Sequence, residues 1–498
     1  MSHLLRFQFL FCFVLASFFQ SSVVKAMMYS QFTQRPKLVV VLVIDQFRAD
    51  YLTRFEKEFR PQGFRKLMQE GAYFPFAEYD VLQNMTCPGH AMILTGSYPA
   101  NNGIVLNEFY DKEKQKVVYC AEDDQDGISP RRLRVSTVGD ELKLVSSTSK
   151  VISIALKDRS AVMLAGHRAD VALWYDSTTN QWGSSSFYPK ATKDSFWNEL
   201  NQKLQRQVQE KKLDKSVVVQ PVMIDQTVQL AQKAIQMEKL GKRGVTDLLT
   251  LSFSTHDLLG HRVGMLDPLM KAMTLHEDRA LESFFQFLKK ENLLNQTLIV
   301  LTADHGVAPV VEFQKENKMP SDYFPILALY KKWNELLDAQ FGRPSQPWFH
   351  FMAMHLYLQP QALLERKVSE KEVLEFLQQK ISLEKGVFAV VTKQQIQRKE
   401  NLPESVEKQV LRSYLPGQSG DLIMIPNSFY LPSSEVKANH LTHYSYDRTV
   451  PVVYWGRAFR SSVYPGGHVI DIASTLSFVL GMTAPSGNQG QVPSQILK

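Results

Sequence analysis

Residues 37–44 read Lys-Leu-Val-Val-Val-Leu-Val-Ile, an apolar run without alternation after its first position. Such a run, rich in β-branched residues, predicts a strand buried on both faces, as in a parallel sheet. Similar runs fall at residues 151–156, 248–253, 297–302 and 450–455. Between them helical periodicity is clearest over 225–240, 268–292 and 471–480. Strands alternating with helices predict an α/β fold with a doubly wound, mostly parallel central sheet flanked by helices. Residues from about 310 to 419 break the alternation with helix-like stretches (327–339, 369–381) and short strands (351–358, 387–391). They predict an α+β segment inserted beside the main sheet. A second, smaller insertion is predicted over 172–215, where Trp174-Tyr175-Asp176 and Trp182-Gly183 suggest a hairpin.

The N-terminus carries a different pattern. Arg6 precedes an apolar run from Phe7 to Phe19, and Val24-Lys25-Ala26 places small residues at −3 and −1 of a cleavage site. The run is shorter than the ~20 residues that span a bilayer. Residues 1–26 are therefore read as a signal peptide, with an uncleaved anchor as the alternative, and 27–498 as one unit. The mature form is expected to be periplasmic or secreted, with no membrane span. Removing the leader takes away Arg6, Lys25 and Cys12, lowering the formal charge from +7 to +5 and leaving Cys87 and Cys120. Export permits a disulfide between these two; two buried thiols are the alternative.

The chain has 498 residues, 44% of them hydrophobic, enough for a large core. Its basic residues form no runs, so no nucleic-acid arm is expected. A diffuse positive field can attract anionic substrates.

Polar residues at the ends of the apolar runs supply the candidate chemistry. Asp45 directly follows the first run, where ligands bind in open α/β sheets; an N-cap or turn residue is the bland alternative. Asp304-His305-Gly306 follows the run at 297–302 and offers a carboxylate and an imidazole to one ion, with a glycine for a sharp turn. Asp257 and His261, at i and i+4 after another run, share a helical face and can reach one metal. His256 has the wrong spacing and is read as structural. In Thr86-Cys87-Pro88-Gly89-His90, Thr86 would lie near a helix N-terminus, which favours anions. Its hydroxyl, ionised by a metal, could attack phosphorus; an ordinary capping threonine is the alternative. Lys157 and Arg159, at i and i+2, can clamp phosphoryl oxygens, or form a solvated basic loop. Asn107 could donate its amide to a phosphoryl oxygen, or simply sit in a turn. His440 and His443 compete for one ligand position.

Taken jointly, these motifs resemble the alkaline phosphatase superfamily. The likeness is to secreted bacterial alkaline phosphatases with a threonine nucleophile and a lysine–arginine clamp, relatives of the nucleotide pyrophosphatase/phosphodiesterases. It spans the mature chain. It implies an alkaline-phosphatase-like sheet and two zinc ions, one held by Asp257, His261 and His440, the other by Asp45, Asp304, His305 and the Thr86 oxygen. Three protein ligands with an open position suit catalytic zinc, and two ions ~4 Å apart can bracket an in-line displacement. Thr86 would attack to give a phosphothreonine, with Asn107, Lys157 and Arg159 holding the nonbridging oxygens. One departure stands out: the family commonly carries His-Gly-Ser where this chain has His440-Leu441-Thr442.

The expected substrates are small-molecule phosphate esters. The Lys157–Arg159 clamp favours a monoester, whose phosphoryl group is dianionic. A phosphodiesterase or nucleotide pyrophosphatase of the same superfamily is the alternative, followed by a non-catalytic metal- or phosphate-binding protein. A sulfatase is disfavoured, because no arginine follows Cys87-Pro88 in the Cys-x-Pro-x-Arg pattern. Oligomeric state is not legible.

Overall fold

The computed structural model describes residues 35–188, 195–210, 215–432 and 436–498; the leader expected at 1–26 lies outside them. Among the described residues nine strands build one sheet. They are β1 (Leu38–Ile44), β2 (Ala72–Glu78), β3 (Val151–Ala155), β4 (Val171–Asp176), β5 (Gln181–Gly183), β6 (Asp247–Phe253), β7 (Thr297–Thr302), β8 (Thr449–Trp455) and β9 (Ser462–Val463). Their order across the sheet is β9-β2-β8-β7-β1-β6-β3-β4-β5.

The five central strands, β7-β1-β6-β3-β4, are parallel. Every residue of β1 is buried, which is why its sequence shows no polar alternation. In register, Ile44 lies beside Phe253 and Val43 beside Thr302. The carboxyl ends of β1, β6 and β7 thus stop at one level, and the residues after them share one edge. The helices predicted over 225–240, 268–292 and 471–480 appear as Val222–Met237, Pro268–Lys290 and Asp471–Leu480. Pro268 takes the first helical position, where its missing N–H costs nothing, and Asp267 caps it.

Strand β8 runs antiparallel to both β7 and β2. The sequence pattern passed over β2, which contains Pro75. A proline cannot donate to a ladder and is tolerated mainly at irregularities. The β2–β8 register shifts between Val450 and Val452, so Pro75 and Pro451 both sit in the irregular stretch. Strand β4, expected inside a small insertion, instead pairs with β3 and widens the main sheet. Its hairpin with β5 forms, with Trp174 opposite Gly183.

A second, antiparallel sheet is built from Phe349–Met352, His355–Leu358, Leu422–Pro426 and Val387–Thr392, in that order. With helices Ile326–Phe341 and Glu370–Ile381 it encloses its own core around Trp333, Leu337, Trp348 and Leu377. The strand expected over 351–358 is a hairpin. Ala353 and Met354 form its two-residue turn with φ of 46° and 67°, the left-handed pair that matches strand twist. Neither residue signals a turn, so the chain read as continuous. No helix among the described residues is long and apolar enough to cross a membrane.

Candidate active site

The parallel edge brings together residues far apart in sequence. Asp45 follows β1, Asp304 and His305 follow β7, and Lys157 follows β3. Three short helices add the rest: α1 (Thr86–Thr95), α2 (Asp158–Ala165) and α3 (Thr255–Val263). Thr86 is the first residue of α1, and Asp257 and His261 lie one turn apart on α3. His440 enters from the loop before β8.

Two groups of ligand-type atoms result. Oxygens of Asp45 and Asp304 and a ring nitrogen of His305 lie within 4.8 Å of one another. Asp257 Oδ1 is 3.2 Å from His261 Nε2 and 3.9 Å from His440 Nε2. His305 also lies within 4.8 Å of the Asp257–His440 pair, and its ring stacks on that of His440 with centroids 3.7 Å apart. The groups therefore abut. Thr86 Oγ1 stands 3.5 Å from Lys157 Nζ, which bonds Asp45 Oδ2 at 2.7 Å and Asp257 Oδ2 at 2.5 Å.

The donor chemistry fits metal ions. A carbonyl oxygen can only accept, so Nδ1 carries the proton in three histidines: His261 toward Ala438 O, His305 toward Gly306 O and His440 toward Asn84 O, at 2.7, 2.9 and 2.6 Å. In its neutral form each ring thus presents an Nε2 lone pair, the tautomer of a metal ligand fixed by its outer hydrogen bond. Asp45 Oδ1, Asp304 Oδ2 and His305 Nε2 are buried without a hydrogen-bond partner among the described residues. Buried polar atoms are ordinarily satisfied, and three converging exceptions of ligand type are what a cation would fill.

Electrostatics follow from burial and crowding. Burial, then the nearby Asp304 charge, raises the Asp45 pKa to about 6. Burial also opposes ionisation of Asp257, but His261 and Lys157 outweigh it and hold that carboxyl well below its usual range. Burial, reinforced by His305 and His261, keeps His440 neutral. Lys157 resists the same desolvation because Asp257 and Asp45 face it.

Of the two candidate histidines, His440 enters the site. His443 packs on Tyr444, with ring centroids 4.1 Å apart, and burial pushes its pKa down to about 4. The His440 loop is pinned by Asp447, whose Oδ2 accepts Thr442 N–H and Oγ1–H at 2.9 and 2.6 Å. Leu441, at the position of the family's glycine, has φ of +118°, a conformation side chains resist. His256 stays outside, bonded to Glu277 at 3.1 Å. Asn107 turns its Oδ1 to Cys87 N–H at 2.8 Å, leaving its amide hydrogens for another acceptor. Arg159 reaches Tyr119 OH at 3.3 Å, and its buried Nε has no partner among the described residues. Cys87 and Cys120 form a disulfide.

Sequence reasoning missed two residues that touch the ligand carboxylates. Gln46 donates Nε2–H to Asp257 Oδ1 at 2.7 Å and its N–H to Asp304 Oδ1 at 3.0 Å, from a backbone with φ of +66°. His90 Nδ1 lies 2.9 Å from Thr86 O and 3.1 Å from Asp304 Oδ2. Gly89 makes that approach possible, since a Cβ there would stand 2.3 Å from Asp304 O. Neither has a one-dimensional signal beyond adjacency to Asp45 or Thr86.

Comparison with known proteins agrees with this geometry. Residues 39–447 match the family model of type I phosphodiesterase / nucleotide pyrophosphatase. Alkaline phosphatase PafA of Elizabethkingia meningoseptica is 30% identical over 95% of this chain and 97% of its own. Alkaline phosphatase PhoV of Synechococcus elongatus is 30% identical over 98% and 99%. The crystal structure of wild-type PafA superposes with a TM-score of 0.88 at 29% identity, covering 93% of this chain and 99% of that one. On its sequence match, its fold and its clustered carboxylates and imidazoles, the chain belongs to the type I phosphodiesterase / nucleotide pyrophosphatase family and is a metal-dependent phosphoric ester hydrolase.

Proposed function

We propose that the protein is an exported alkaline phosphatase that hydrolyses phosphate monoesters through a phosphothreonine on Thr86. The observation that carries this reading is a pair of half-buried cations at the start of α2, one of them beside Thr86. Lys157 stands 3.5 Å from the hydroxyl, and the Arg159 guanidinium keeps a buried nitrogen without a partner among the described residues. A buried donor of this kind calls for an anion. Two such cations match the dianionic phosphoryl group of a monoester better than the single charge of a diester.

Asp257, His261 and His440 would hold one zinc ion, and Asp45, Asp304, His305 and Thr86 Oγ1 the other. When bound, the ions supply Lewis-acid stabilisation to the attacking and leaving oxygens. Thr86 sits at the N-terminus of α1, where the helix dipole and the Lys157 ammonium favour loss of its hydroxyl proton. Its oxygen attacks phosphorus in line, the ester oxygen leaves, and water then releases inorganic phosphate from the threonine. Asn107, Lys157 and Arg159 hold the nonbridging oxygens as charge moves among them. Imidazole and carboxylate donors suit zinc, though manganese and cobalt share them. Export to the periplasm or medium is supported by residues 1–26 and by the Cys87–Cys120 bridge, which belongs in an oxidising compartment.

The test compares p-nitrophenyl phosphate with its bis ester, using wild type and Thr86→Ala with metal content measured. We expect monoester preference, and loss of turnover by more than ~10³-fold in a variant that still binds metal. Preference for the bis ester would favour a phosphodiesterase, and unchanged turnover in the metal-loaded variant would remove Thr86 from the chemistry.

A further inference from the structure

The nucleophile and the phosphate clamp come from different elements, and a disulfide ties the nucleophile's helix to a hairpin that touches the clamp. Cys87 follows Thr86 on α1. Cys120 follows Tyr119, at the end of a hairpin formed by Glu108–Asp111 and Lys116–Tyr119. The disulfide brings the two Cα atoms to 6.6 Å. Asn107 closes the same ring by hydrogen bonds. Its side-chain oxygen accepts Cys87 N–H at 2.8 Å, and its backbone oxygen accepts Cys120 N–H at 2.9 Å.

From this anchored hairpin Tyr119 reaches the clamp. Its hydroxyl donates to Asp158 Oδ1 at 2.6 Å and accepts from Arg159 Nη1 at 3.3 Å. Asp158 Oδ1 also accepts Arg159 N–H at 2.6 Å. Burial raises the phenol above its usual range, so it remains a hydrogen-bond donor. Tyr119 has two side-chain torsions and a fixed base, whereas Arg159 has a long flexible stem. The rigid group therefore selects the rotamer of the flexible one.

We propose that Tyr119 is a positioning residue for Arg159, and that the Cys87–Cys120 bridge with Asn107 fixes Tyr119 relative to Thr86. Nucleophile and clamp then move as one unit, and that rigidity sets the preference for a dianionic phosphoryl group. The inference rests on the monoesterase reading above. A misplacement of about 1 Å at such a group can cost ~10²-fold in rate.

The experiment measures kcat and KM on p-nitrophenyl phosphate and its bis ester for metal-loaded wild type, Tyr119→Phe, Arg159→Ala and the double variant. Tyr119→Phe should lower monoester kcat/KM by ~10- to 100-fold and leave bis-ester turnover nearly unchanged. In the Arg159→Ala background it should add almost nothing, because residues acting through one another are not additive. Equal losses on both substrates, or a full further loss without Arg159, would overturn the proposal. A wild type preferring the bis ester would instead defeat the underlying reading, and that result is visible before any variant is made. Cys87→Ser with Cys120→Ser should reproduce the selective monoester loss and weaken inhibition by inorganic phosphate. An unchanged monoester-to-diester ratio in that folded variant would remove the bridge from the argument.

Discussion

Lys157 and a bound metal ion draw on the same negative charge, so removing the lysine should act in opposite directions on metal binding and on turnover. Its ammonium lies 2.7 Å from Asp45 Oδ2 and 2.5 Å from Asp257 Oδ2, with both acids fully buried and Asp304 close behind. When a chelator strips the site, Lys157 remains in contact with both of these carboxylates. Deleting one partner of a buried pair costs ~3–5 kcal/mol. For 498 residues the unfolding entropy is about 1 kcal/mol/K, so Lys157→Ala should lower the melting temperature of stripped protein by ~4 °C. In metal-saturated protein the ions neutralise the carboxylates, and the loss should shrink to ~1 °C. Linkage then requires the difference, ~3 kcal/mol, to reappear as metal affinity tightened by roughly 100-fold. Scanning calorimetry with chelator and with metal, plus chelator competition, measures both sides of the cycle. Monoester turnover should fall meanwhile, because the clamp is damaged. Equal melting losses in the two states, or weaker metal binding by Lys157→Ala, would refute the shared-charge argument.

Three further outcomes are expected. The Gln46 side-chain amide holds Asp257, so Gln46→Ala should weaken metal binding by ~10-fold or more in chelator competition; unchanged affinity would make the contact incidental. At Leu441, with φ of +118°, Leu441→Gly should be more stable to denaturant than Leu441→Ala by ~1 kcal/mol, the reverse of the usual glycine penalty; a more stable alanine variant would show that the turn is unstrained. His355 Nδ1 accepts Gly420 N–H, and burial lowers its pKa to about 3. Above its unfolded pKa of ~6.5 its neutral form is fully stabilising, and that stability drains as pH falls toward the folded value, by ~2.7 kcal/mol at pH 4.5. Urea denaturation of wild type and His355→Gln should therefore converge between pH 6.5 and 4.5; parallel curves would mean that His355 protonates freely when folded.

Much of the site was legible because parallel strands align their carboxyl ends. An apolar run predicts a strand, and the polar residue just beyond it must then lie on the common edge, which is how Asp45, Asp304 and Lys157 could be chosen from separate parts of the chain. Helical spacing did the same for Asp257 and His261. What escaped were features defined by contacts between distant segments. Strand β2 was hidden by Pro75, whose missing N–H is harmless because Pro451 makes the opposing strand irregular too. The residues alone left His440 and His443 competing, and only the family resemblance selected His440, whose ring meets the Asn84 carbonyl 356 residues away. Gln46 and Tyr119 escaped for the same reason, since each acts by holding a group that sequence reasoning had already found. A one-dimensional pattern records which residues can do chemistry at a strand end; the residues that aim them are specified by packing, and glutamine or tyrosine in a loop carries no periodicity to betray that task. The disulfide is an instructive intermediate case. Export made a Cys87–Cys120 bond permissible from composition alone, but its importance lies in the neighbours it ties together, Thr86 on one side and Tyr119 on the other, which become adjacent only once the hairpin folds back over α1.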